Sequence, residues 1–367
     1  MKKDFVPYFA EHMKEPVSLK KMLMGAGILM ACILLLNQLS GAAAEALFPY
    51  FFTPLQTLRC LLFGIFPFSI GDLLYLGLGL YLLYALIVFV RRWRQRTKAM
   101  RARGLLRGLL LFLASYLLLL MLWGLNYERP KLARQLSLDT GSVSQEELFL
   151  FDSFLVHRLN TLHSSYTALP LKQLSTIAAN TYAQQNTPMK VSVKPTLLGS
   201  SLAYFGIEGY FNPFTGEAQV DKGNPAFMQP FVVAHEMAHQ TGIAAEDDAN
   251  LLAYIRCMES GDPTFEYSAC LNIWLYTHRH VRSYDSTRAG DLKRLLNPVT
   301  LKQLDTLRQR SIAYQTVLDD MSSFIFDLYL RMGRQTDGIG SYRNVAYSAL
   351  CWEKKKRTLP DGSIRFF

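Results

Sequence analysis

Cysteine is scarce in this 367-residue chain, and the five present (Cys32, Cys60, Cys257, Cys270 and Cys351) form no Cys-x-x-Cys pair. That spacing excludes a zinc ribbon or a thioredoxin-like redox motif. It leaves Cys257 and Cys270 either as a disulfide of an extracytoplasmic domain or as buried free thiols. Internal repeats and low-complexity segments are absent, and with them any repeat architecture. A basic face is missing too. The formal charge is +10, yet residues 108–367 hold 25 basic and 24 acidic residues and are almost neutral. The excess lies in residues 1–21, with five Lys and three acids, and in residues 91–107, with eight Arg or Lys and no acid. Nucleic acid is therefore not an expected partner.

What the chain has instead is apolar length. Half of its residues are hydrophobic, and three runs read as transmembrane helices, at about residues 22–39, 73–90 and 105–125. Each is close to the ~20 residues needed to cross a hydrocarbon core. Phe48-Pro-Tyr-Phe-Phe-Thr-Pro54 and the apolar stretch to Ile70 are aromatic and proline-broken, which suits an interfacial or re-entrant piece better than another span. Residues 40–72 carry one Arg and no Lys, so the positive-inside rule puts the N-terminus and the 91–107 loop in the cytoplasm. Everything after Leu125 then lies outside. Ser40-Gly-Ala-Ala-Ala-Glu-Ala46 has the look of a signal-peptidase site, whose cleavage would remove only the first span.

Beyond the membrane region, residues 126–141 read as a juxtamembrane linker and 142–367 as one outer domain. Helices are predicted from the Ser142–Glu147 start signal to about Leu162, and from Pro170 to about Gln185. Residues 189–222 are rich in Val, Tyr, Phe and Gly and alternate in places, predicting a small sheet around an Asn212–Gly216 turn. Helices follow over 246–258, 265–282, 301–333 and 342–356.

Between sheet and helices stands His235-Glu-Met-Ala-His-Gln-Thr-Gly242. Histidines four apart project from one helix face and can share a Zn²⁺, with Glu236 placed to act on a water held by the metal. A catalytic zinc site wants three protein ligands and an open position. Gly242 reads as the left-handed residue that ends this helix. Glu246 opens the next one and can fold back over the first, with Asp247 and Asp248 as rival ligands. Asn250, one turn after Glu246, can hydrogen-bond a ligand histidine.

His-Glu-x-x-His followed by Glu-x-x-Ala-Asn resembles the signature of gluzincin metallopeptidases. The resemblance implies His235, His239 and Glu246 as zinc ligands, Glu236 as catalytic base, and Asn250 as the residue behind the ligands, with an amide where many relatives have a carboxylate. More narrowly, the three spans, Tyr210-Phe-Asn-Pro-Phe-Thr-Gly-Glu217, His235–Gly242 and Gly340-Ser-Tyr342 resemble an uncharacterised bacterial family of membrane-anchored zinc metallopeptidases. The six residues between the motifs are fewer than many gluzincins have. A metzincin third ligand would fall on Ala245, which cannot bind metal. The fold class expected is a mainly α membrane protein of the bacterial cell membrane: three N-terminal transmembrane helices, then an α+β zincin-like extracytoplasmic domain with a small sheet before the His-Glu helix.

The chemistry expected is peptide-bond hydrolysis by water activated at Zn²⁺, with Glu236 as general base. Lipid bilayer and a peptide or protein substrate are the partners. Tyr210, Phe211 and Asn212 either contact substrate as an edge strand or are a hydrophobic strand and a turn Asn. For a transition-state donor, the resemblance favours Tyr342. His278, His280 and Tyr284 read as surface or packing residues, and Glu217 and Asp221 as solvated turn acids. A non-catalytic sensor or scaffold with a structural zinc, and a zinc amidase acting on cell-wall peptides, remain open beside the peptidase.

Overall fold

The computed structural model describes residues 18–93, 97–185, 187–314 and 342–358. It divides into two compact units, Met1–Leu39 with Gly77–Leu122, and Ser40–Leu76 with Trp123–Phe367. The expected break at residue 125 therefore moves, and the stretch between the first two apolar runs joins the larger unit.

Three helices are long and apolar enough to cross a membrane: α1 (Leu19–Leu36), α4 (Ile70–Trp93) and α5 (Lys98–Leu122); α1, α5 and the part of α4 from Gly77 onward make the smaller unit, while the first turns of α4 belong to the larger one. Each starts three to seven residues before the run predicted from hydropathy, because polar caps set the first turn. Ser18 Oγ accepts from Lys21 N, Ser69 Oγ from Asp72 N and Thr97 Oγ1 from Met100 N. α1 packs against α5, yet only 11%, 0% and 6% of the three apolar windows are buried. Helices this apolar and this uncovered are not the core of a water-soluble domain.

The larger unit begins with α2 (Gly41–Leu47) and α3 (Phe52–Phe63). Ser40 caps α2, so the segment resembling a cleavage site is helical here. It packs on the 3₁₀ turn Gly124–Glu128, and Arg129 pairs with Glu45 at 2.7 Å. Residues 126–141 are not a free linker either. Asn126 and Leu132 are buried, Leu132 heads α6 (Leu132–Gln135), and Lys131 holds Asp247 at 2.7 Å.

α7 (Gln145–Leu162) starts with the capping box Ser144/Glu147, and α8 (Leu171–Gln184) follows. Three strands of three residues make the sheet: β1 (Val193–Pro195), β2 (Gly209–Phe211) and β3 (Ala218–Val220), in the order β1-β3-β2. β3 is parallel to β1 and antiparallel to β2, leaving β2 at an edge. The rest of 189–222 is not extended; Gly199–Phe205 coils into a 3₁₀ turn. α9 (Gln229–Gln240) crosses the sheet, and α10 (Glu246–Glu259) folds back against it. α11 (Pro263–Tyr284) packs on α7, α9 and α10. α12 (Ser286–Arg294) and α13 (Pro298–Tyr314) follow, and α14 (Tyr342–Arg357) closes on α10 and α11. The predicted helix continues to residue 333, but residues 315–341 lie outside those described. Cys257 and Cys270 are buried free thiols in the apolar core, which pushes both thiols up.

One polar knot ties α4 to the sheet. Lys194 of β1 pairs with Glu217 at 2.6 Å and donates to the carbonyls of Phe63 and Phe68. Glu217 in turn accepts from Ile70 N and Gly71 N at the start of α4. Glu217 is thus a buried helix-capping acid rather than a solvated one; Asp221 is also buried, 3.6 Å from Arg310. Replacing Lys194 with alanine strands a buried carboxylate and should cost about 3 kcal/mol or more, read as a lowered denaturation midpoint in detergent. An unchanged midpoint would show that Lys194 is not a structural tie.

Candidate metal centre

α9 is buried almost all round, with Phe231, Val233, Met237 and Ala238 in the core. Pro230 sits in its first turn, where the missing N–H costs nothing. At the other end Gly242 takes φ +89°, the left-handed conformation its position predicts. A side chain there would also collide with Phe48 and Phe52, at 2.4 and 2.8 Å from an added Cβ. The chain therefore reverses tightly and α10 starts at Glu246, over the helix it has just left.

That reversal brings three donors together. His235 Nε2 and His239 Nε2 are 3.1 Å apart, and the Glu246 carboxylate lies 3.3 Å from His235 and 3.6 Å from His239. Among the described residues, these three form the group able to hold a metal ion. Donors held at ~2.05 Å around a tetrahedral zinc are about 3.3 Å apart, so all three separations fit one ion. His239 Nδ1 faces the Ile243 carbonyl at 2.7 Å, which fixes a tautomer with Nε2 turned to the cluster. Asn250 lies against His235 and favours its charged form, although the contact falls short of a well-formed bond to Nδ1.

The electrostatics follow from burial and crowding. Burial opposes charge on His235, but Glu246, Glu236 and Asn250 outweigh it and raise the imidazole to about 9. His239, desolvated and beside the charge on His235, falls to about 4. Burial acts against charge on Glu246 as well, and the two imidazoles prevail, holding its carboxyl below the usual range. Glu236 is pushed up to about 8 by desolvation and by Glu246 and Glu208, against the pull of His235. Its Oε2 is buried and has no hydrogen-bond partner, so a free carboxylate oxygen lies beside the cluster.

The rival ligands fall away. Asp247 is paired with Lys131, while Asp248 lines a separate cavity of about 40 Å³ beside Arg129 and Gly242. Ala245 begins the turn into α10 and offers no donor. The sheet residues divide. Asn212 is fully buried and its Oδ1 accepts from Phe214 N and Thr215 N, so it is a turn residue and not a substrate contact. The Tyr210 hydroxyl bonds Asp72 and the Phe211 ring packs on Trp123, 4.5 Å between centroids. What β2 offers at its edge is backbone. His278 pairs with Asp152, His280 with Tyr347, and Tyr284 with the Gln145 carbonyl; none belongs to the cluster. The Tyr342 side chain lies outside the described residues.

The model of a family described as "Protein of unknown function (DUF3810)" matches residues 47–347. The chain belongs to that family. The matched stretch contains α3, the second and third apolar helices, the sheet and the whole His235–His239–Glu246 cluster. No curated protein and no solved structure matches the chain.

Several neighbours of the cluster have no signature in the sequence. Gly209 lets β2 run close to Glu236: an added Cβ would lie 2.7 Å from Glu236 Oε1. Glu208, just before it, is a half-buried acid whose charge raises Glu236 further. Trp123, predicted within the third span, stands edge-on to His239 at 6.0 Å. Arg129 stacks on Phe48 at 3.5 Å and donates to the Gly242 carbonyl, clamping the turn between the two ligand helices. Only proximity in the folded chain reveals these. Asn250→Ala should lower zinc affinity by about 10–100-fold in a chelator-competition titration, while Asp247→Ala should leave it nearly unchanged. The reverse order would move the metal's support to Asp247.

Proposed function

We propose that the chain is a membrane-anchored zinc metallopeptidase with a gluzincin-like arrangement, its larger unit on the extracytoplasmic face of a bacterial cell membrane. The observation that carries this reading is the set of three donor separations, 3.1, 3.3 and 3.6 Å, in a cluster built from the His-Glu-x-x-His helix and the helix that follows. Ordinary ion pairs do not require two imidazole nitrogens to face each other at contact distance. A shared cation explains it. The side of the membrane rests on the positive charge before α1 and between α4 and α5.

Zinc, when held there, supplies Lewis acidity toward a carbonyl oxygen and makes water acidic near neutral pH. The protein's own residues do the rest. His239 is held by the Ile243 carbonyl, so its ring presents Nε2 without reorganisation, and Asn250 lies against His235. Glu236 accepts a proton from water at its partnerless Oε2 and returns it to the leaving amine. Among the described residues β2 ends the sheet, and along its outer edge an extended peptide adds as a further strand and sets its scissile bond beside Glu236.

Glu236→Gln should retain about one equivalent of zinc and lose about 10²–10⁴-fold in peptidase rate, measured on a peptide library with the full-length protein. Full activity in that variant would refute the mechanism. Zinc bound by the wild type without cleavage would point instead to a scaffold, and cleavage of muropeptides alone to a cell-wall amidase.

A further inference from the structure

α3 is amphipathic with its faces reversed. Phe52, Gln56 and Arg59, one turn apart, point into the larger unit. Gln56 is 0% exposed and donates to the Gly216 carbonyl; Arg59 is 4% exposed and donates to the Pro213 carbonyl. Leu58, Leu61, Leu62 and Ile65, at helical spacing on the opposite side, point out, with Leu61 67% and Ile65 75% exposed. The turn Leu197–Leu198 is likewise apolar and exposed. Water-facing surface does not look like this. The charged residues within 46–76 are Arg59 and Asp72, and within 191–207 Lys194 alone, and all three are buried.

Both apolar segments flank the start of α4, a candidate membrane span. Lys194 is bonded to the Phe63 and Phe68 carbonyls at the end of α3, and Asp72 accepts from Thr196 Oγ1 at 3.0 Å and Leu197 N at 2.6 Å. Strand β2 reaches the same place. Its Tyr210 bonds Asp72 and stacks on Tyr75 of α4, centroids 6.4 Å apart, while Gly209 next to it abuts Glu236. The exposed stripe is thus continuous with the first turns of a helix that enters lipid, and the edge strand is bonded to those turns.

We infer that α3 and the Leu197–Leu198 turn are seated in the bilayer interface and hold β2 and the His235–His239–Glu246 cluster at the lipid surface. The polypeptide taken by the site is then one inserted in, or lipid-anchored to, the same membrane. The seat stands on the exposed apolar surface alone, whereas the substrate class rests on the peptidase reading. An interfacial helix with an apolar outer face and no outward charge binds the headgroup–acyl boundary by buried apolar area. Substrate and site confined to one surface meet at a higher effective concentration than in solution.

The test uses full-length protein in phosphatidylethanolamine/phosphatidylglycerol nanodiscs, with Cys32 and Cys60 replaced by alanine and one nitroxide at Leu61→Cys, Leu198→Cys or Asp291→Cys. Relaxation by oxygen should dominate at 61 and 198 and relaxation by a water-soluble nickel chelate at 291, an exposed site on α12. Labels at 61 and 198 that behave like the one at 291 would overturn the seat. In vesicles of the same lipids, a palmitoylated random-peptide library should be cleaved about a hundredfold faster than its unacylated counterpart. Equal rates would overturn the substrate class. Cleavage of neither library would overturn the peptidase reading and the substrate class with it, while the nitroxides still decide the seat.

Discussion

The left-handed turn at Gly242 is the constraint on which the site depends. Six residues separate His239 from Glu246, too few for a wandering loop, and a carboxylate reaches both imidazoles only if the chain reverses at once. Glycine permits the positive φ, and its lack of a side chain lets Phe48 and Phe52 pack directly on the backbone. Arg129 closes the arrangement by joining Glu45, the Phe48 ring and the Gly242 carbonyl. The turn that brings Glu246 to the two histidines is therefore held by residues from before the second apolar helix and after the third.

This explains why residues 40–76 fold with the larger unit. α2 and α3 buttress the ligand turn on one side, and the Lys194–Glu217 pair bolts the start of α4 to the sheet on another. Buried ion pairs of this kind add little net stability over apolar packing, but they penalise any register in which one partner is left alone. Here they specify where α4 begins relative to β1 and β3. The strand next to Glu236 is fixed by the same set of bonds through Tyr210 and Asp72.

Burial also shapes the chemistry. Two imidazoles and the Glu246 and Glu236 carboxylates share one poorly solvated site: burial opposes charge on both rings, but on His235 the carboxylates outweigh it and raise the imidazole to about 9, whereas on His239 burial and the charge on His235 prevail and lower it to about 4. Two imidazole nitrogens and a carboxylate oxygen facing one another are donors that a divalent ion would suit. Among the described residues Glu236 Oε2 has no hydrogen-bond partner, so that oxygen ties down no other part of the fold.

Local rules made much of this legible beforehand. Hydropathy located three long apolar helices, because crossing lipid demands about twenty apolar residues in a row. Helical spacing put His235 and His239 on one face, and the glycine preference for positive φ located the reversal that delivers Glu246. Ser144 and Glu147 marked the start of α7 by their capping chemistry. Contacts between segments far apart in the chain were not legible. Nothing local distinguishes a stripe of leucines facing lipid from one facing a core, so α3 read as interfacial without showing that Gln56 and Arg59 face inward onto the sheet. Glu217 and Asp221 read as solvated turn acids because burial, which the fold gives both, is a property of the packed whole. Sequence alone determined the helical spacing of His235 and His239, the tight turn to Glu246 and the three long apolar runs; tertiary structure decided what holds the turn, what surrounds Glu236, and which strand edge meets the start of α4, since each depends on side chains that only folding brings within reach.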